Sequence, residues 1–173
     1  MVFLIFIGIF SISYLIGSQS KLSDEESQTF LKEFQKVVEG IDAVGIFEHN
    51  ISIALPMFIP GFGLAWGAFA AWSTGVAFSA LISTTPALAK IPPLALLYLS
   101  PFGVMELIAY SIGMSRSFLL LNVVIRKKPL KNELRRTAIE IGIVFALLLA
   151  GAFIEYLMIQ QFGSSIVNPK PKL

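Results

Sequence analysis

Residues 94–136 read LALLYLSPFGVMELIAYSIGMSRSFLLLNVVIRKKPLKNELRR, and what this stretch can form decides the fold. Up to Val123 it carries only two charged side chains, Glu106 and Arg116. A helix rises about 1.5 Å per residue and a bilayer core is about 30 Å thick, so residues 94–123 are long enough to cross one, with a kink expected at Pro101. Six basic residues then follow, Arg126, Lys127, Lys128, Lys131, Arg135 and Arg136, relieved only by Glu133. Short loops rich in Lys and Arg stay on the cytoplasmic side. Residues 124–136 are therefore read as a basic cytoplasmic loop, and the C-terminus as extracytoplasmic.

The rest of the chain has the same solvent. Of 173 residues, 55% are hydrophobic and 14% charged, and the mean hydropathy is +0.78, against about 25% charged in an ordinary soluble domain. The expected class is all-α: a polytopic transmembrane bundle of four or five spans in the cell membrane, with one amphipathic extramembrane helix. Residues 2–17 read as a first, uncleaved span, because no Lys or Arg follows Met1 as a secretory leader requires. Residues 19–45 read as the amphipathic helix, opened by Ser23 and Glu26 in the S-x-x-E form of a capping box. In that segment Phe30, Phe34, Val37, Val38 and Ile41 recur at helical spacing, and its charge is acidic in balance, which suits packing on protein better than on lipid headgroups.

Residues 46–59 are apolar, contain Pro56 and end at Pro60 and Gly61, so they form either a thin span or a re-entrant half-helix. The count of four or five spans turns on that choice. Residues 62–83 and 137–160 are further spans, and 162–173 a loose tail.

Gly63, Gly67, Ala71, Gly75, Ser79 and Ser83 recur every fourth position and let a neighbouring helix backbone come close. Four residues turn the helix through 400°, so the stripe drifts by about 40° at each step and suits crossing neighbours better than one straight partner. Ala138, Gly142, Ala146 and Ala150 form a second, weaker run.

Charge inside a membrane is costly and marks candidate sites. Glu106, Arg116, Glu140 and Glu155 qualify. Glu106 and Arg116 lie about 15 Å apart on one helix, so their partners must come from elsewhere. Glu106 is expected to serve a carbonyl freed by Pro101, and Glu140 to lie near the headgroups. His49, the one histidine, stands between Glu48 and Asn50, where Asn50 reads as a helix cap. With no cysteine and one histidine, neither a metal shell nor a nucleophile with its base is assembled. No cofactor, no metal and no nucleic acid is expected, and no enzyme activity.

Four blocks together resemble the stage II sporulation protein M family: Ile46-Phe47-Glu48-His49-Asn50, the glycines at 61, 67 and 75, the run from Pro101 through Phe102, Gly103, Val104, Met105, Glu106, Leu107 and Ile108 to Ala109, and Ala152-Phe153-Ile154-Glu155. The chain departs from the family pattern where Phe102 replaces a histidine between proline and glycine, which favours packing over chemistry there. The resemblance implies an all-helical membrane protein of about five spans. In spore formers the family member is the membrane scaffold of a peptidoglycan-remodelling complex, and relatives also occur in organisms that do not sporulate. Only the scaffold character carries over. By position the resemblance assigns Asn50, Pro101, Gly103, Glu106 and Glu155 to holding the core.

The expected function is thus a non-catalytic scaffold or accessory subunit, with the bilayer and other integral subunits or a second copy as partners. The alternative is a small transporter or channel that uses the intramembrane glutamates, since broken helices with buried charge do mark transport sites. An intramembrane hydrolase comes last, for want of the His and Asp that a serine nucleophile needs.

Overall fold

Apolar runs that exceed a bilayer's thickness can satisfy their backbone only as helices, and all regular structure among the described residues is helical. The computed structural model describes residues 2–23, 25–30, 32, 40–84 and 90–167. Helix α1 is Val2–Ser18, α2 Ala43–Ala54 continued as a 3-10 turn over Leu55–Phe58, α3 Phe62–Thr84, α4 Pro93–Leu99, α5 Pro101–Ile125 and α6 Leu134–Val167. A 3-10 turn over Leu130–Glu133 leads into α6. Three stretches are long and apolar enough to cross a membrane, Phe62–Ser83, Pro101–Ile125 and Leu130–Gln161, with Val2–Ser18 and Ala43–Phe58 as shorter apolar helices.

Helix α5 is the axis of the bundle. The pair α1 and α3 packs on one side of it, and α6 runs antiparallel to it on another, with α2 lying against α6. The core follows these contacts: Phe6, Phe10 and Tyr14 of α1, Met57 and Phe58, Ala71 and Phe78 of α3, Leu107, Tyr110 and Met114 of α5, and Val144 and Leu148 of α6 are all buried. Outward-facing Leu4, Ile12, Phe69, Ile139, Phe153 and Leu157 leave an apolar exterior, as a bundle in lipid requires.

Three local expectations are corrected. Residues 94–123 are two helices and not one kinked helix, because Ser100 is extended (φ −84°, ψ 133°) and Pro101 opens α5 at a position where its missing N–H is harmless. The Ser100 hydroxyl accepts from the Gly103 amide at 3.0 Å and donates to the Leu96 carbonyl at 2.6 Å. A Cβ at Gly103 would come within 2.5 Å of that hydroxyl and 2.7 Å of that carbonyl, so the junction needs glycine there. Next, α2 begins at Ala43, capped by Asp42, whose carboxylate accepts from the Gly45 amide at 2.8 Å. The amphipathic segment therefore does not run unbroken to residue 45. Last, α6 continues to Val167, beyond the Phe162 at which the tail was expected to begin.

The capping box is present: the Ser23 amide donates to Glu26 at 2.9 Å and the Glu26 amide to the Ser23 hydroxyl at 3.3 Å. That amide, then the hydroxyl, hold the Glu26 carboxyl below the usual carboxylate range. Of the periodic apolar positions in that segment, Phe34, Val37 and Val38 lie outside the described residues, as does the tail beyond Val167.

Candidate functional site

Two polar clusters sit on α5 among the apolar helices. In the first, Asn50 of α2, 7% exposed, donates its side-chain amide to the Glu106 carboxylate at 3.0 Å. Asn50 stands in the interior of α2 and is not a cap, because the helix starts seven positions earlier, at Ala43. The buried Tyr110 stands one turn along α5 from Glu106, and Glu155 lies on α6, the helix packed against α5. Glu106 therefore serves a side chain from another helix and not a carbonyl freed by Pro101.

In the second cluster Arg116, 5% exposed, joins three pieces of chain. Its guanidinium binds Glu133 at 3.0 Å and both oxygens of Glu140, with Nε donating to one of them at 2.5 Å. A planar fork meeting a carboxylate in this two-point way fixes orientation as well as distance. Glu140 is thus a partner of α5. Glu133 and Glu140 were not anticipated in this role, yet the sequence carries a signal: Arg116 and Glu140 lie equally far on either side of Lys128, where an antiparallel hairpin brings them level.

The irregular backbone between α2 and α3 is also held by side chains. Pro56 has no N–H and the chain tightens to a 3-10 turn. The Ile53 carbonyl accepts from the Trp66 indole at 2.9 Å, and the Ile59 carbonyl from the Ser117 hydroxyl at 2.6 Å. Irregular backbone survives at membrane depth only when protein satisfies it in this way. Gly61, at φ +78°, makes the reversal into α3, and a Cβ there would lie 3.3 Å from Leu121.

The small residues of α3 face several neighbours in turn. A Cβ at Gly63 would meet the Met57 carbonyl at 2.0 Å, at Gly67 the Met114 side chain at 2.4 Å, and at Gly75 the Tyr14 carbonyl at 2.1 Å. Ala71 between them is fully buried, and Ser79 donates to the Ser20 carbonyl at 2.6 Å. Ser83 donates to the Ala80 carbonyl of its own helix. His49 is exposed on α2, and no group of His, Asp and Glu that could hold a metal ion occurs among the described residues.

An apolar exterior, helices of spanning length and inward charges paired between helices define a polytopic helical protein of the membrane type. The family model for stage II sporulation protein M matches residues 1–158. The chain belongs to that family. No curated protein and no solved structure matches it.

Proposed function

We propose that the chain is a non-catalytic membrane scaffold, or an accessory subunit of a larger membrane complex, whose outer helix faces bind other integral subunits or a second copy of itself. What carries this reading is the use made of the intramembrane charges: Glu106 binds Asn50 of another helix, and Arg116 binds Glu140 of another, so both act as ties within the bundle. The exterior supports it too. Ala138, Gly142, Ala146 and Ala150 run along the exposed side of α6, and a Cβ at Gly142 would meet nothing within 4 Å. Such a face admits the close approach of a further helix. Crosslinking mass spectrometry on the full chain extracted from its membrane is expected to recover a reproducible partner through α6. A monodisperse monomer without one would overturn the proposal.

A second reading, a small transporter or channel, is favoured by one observation: the packed helices α5 and α6 each carry a partly buried carboxyl side chain, Glu106 and Glu155. Substitutions at Glu106 separate the two. Glutamine keeps an oxygen for the Asn50 amide, so Glu106→Gln is expected to leave folding and assembly nearly intact. Glu106→Ala strands that amide and is expected to destabilise by about 1–3 kcal/mol in thermal unfolding in detergent. Proton or ion flux in proteoliposomes that Glu106→Gln abolishes would favour transport instead.

A further inference from the structure

Where α5 turns back toward α6, a cavity of about 250 Å³ opens among Arg116, Asn122, Arg126, Lys128, Glu133 and Arg136. Its charge is unbalanced. The Arg116 guanidinium is already bound by Glu133 and Glu140, which leaves that group one negative charge in surplus. Arg126, Lys128 and Arg136 make no ion pair among the described residues, and three cations against that one surplus charge leave the site positive. The turn is held in place by backbone. The Lys127 amide donates to the Val124 carbonyl at 2.9 Å and the Lys128 amide to the Val123 carbonyl at 3.0 Å, with Lys127 in the left-handed region at φ 51°. This is the Schellman ending of a helix, usually closed by glycine, and here it carries a lysine between two cavity-lining cations.

The remaining wall is apolar. Leu119 and Val123 line the cavity, and the neighbouring Val124 and Ile125 are exposed on the outside of α5. A soluble anion would gain nothing from this wall, whereas a ligand with an anionic head and a hydrocarbon body uses both halves. We propose that this cavity binds the phosphate of an anionic phospholipid, with Arg126, Lys128 and Arg136 around the headgroup and the acyl chains running outward along Leu119 and Val123. The buried Arg116 forms the floor, fixed by its two carboxylates so that Glu133 is kept from pairing with the free cations.

The test is native mass spectrometry of the full chain in detergent, offered phosphatidylglycerol and phosphatidylcholine of matched acyl chains in equal amounts. The expected result is retention of phosphatidylglycerol at least about tenfold over phosphatidylcholine, because each basic side chain near an anionic headgroup contributes a factor of about five. The variant R126Q/K128Q/R136Q, changed only at exposed positions, is expected to lose that preference with an unaltered melting temperature. K131Q/R135Q, which removes two charges of the same loop outside the cavity, is expected to keep it. Equal retention of both lipids by the native chain overturns the proposal, as does an equal loss in K131Q/R135Q, which would assign the effect to the loop's overall charge. Displacement of the lipid by an equal concentration of inorganic phosphate overturns the lipid as the source of the anion.

Discussion

Gly75→Leu is expected to leave no folded chain, a loss of roughly 4 kcal/mol or more. A Cβ at this position would lie 2.1 Å from the Tyr14 carbonyl oxygen, 2.7 Å from the Ser18 amide nitrogen and 3.0 Å from the Gly17 carbonyl carbon. All three are backbone atoms of α1, so no change of rotamer relieves the clash and the helices must separate. The contact is reciprocal, since a Cβ at Gly17 would stand 2.0 Å from the Trp72 carbonyl oxygen. Separation would also unpack the Tyr14 ring from Phe78, now 6.3 Å between centroids, and break the bond from Ser79 to the Ser20 carbonyl. The control is Gly8→Leu, at a glycine of α1 with nothing within 4 Å of its added Cβ, which is expected to change stability by no more than about 0.5 kcal/mol. Thermal unfolding and gel filtration in detergent check both. A folded, monodisperse Gly75→Leu chain would show that α1 and α3 are not in backbone contact.

What could be read from the sequence, and what could not, divides along a physical line. Solvent preference is a property of each residue type, so the helical bundle and its long apolar stretches follow from hydropathy over residues 62–83 and 94–123 without knowledge of any contact. Glycines at spacing four likewise announce close approach. Which helix approaches is a tertiary matter: Gly67 meets α5 and Gly75 meets α1, and nothing in the interval between them says so.

Proline was the point of ambiguity in local structure. Pro101 in an apolar run admits a kinked helix or the first turn of a new one, and the choice lies with its neighbours. Ser100 before it and Gly103 after it form an N-cap in which hydroxyl, carbonyl and missing Cβ fit together, and that constellation is present in the sequence. Asn50 failed as a cap for a related reason. Its side chain can serve a helix start or a buried carboxylate, and Asp42 already occupies the start of α2. The ionisable candidates were recognisable because charge is rare in such segments, but their partners depend on the level at which α5 and α6 meet. A hairpin centred near Lys128 pairs Arg116 with Glu140 and sets Met105 beside Gly151, where a Cβ would lie 3.6 Å from the Met105 Cβ.

The Arg116 cluster gives the second large effect, and its sign depends on what is removed with it. Arg116→Met takes away the one cation that Glu133 and Glu140 share and leaves two carboxylates, 22% and 29% exposed, without it. Breaking a buried ion pair from one side costs about 3–5 kcal/mol, and the partial exposure of both acids places the expected loss at the lower end, about 3 kcal/mol in thermal unfolding. Arg116→Lys keeps the charge but has no planar fork to bind both Glu140 oxygens while reaching Glu133, so it is expected to fall between native and Arg116→Met. The decisive variant is R116M/E133Q/E140Q, in which no charge remains to be left unpaired. Neutral replacement of a whole buried network is often close to neutral in stability, so the triple variant is expected to recover most of what Arg116→Met loses. If it instead adds further loss, the acids hold the α5–α6 hairpin through contacts independent of Arg116, and the ion pair is not the element that sets the level at which these two helices meet.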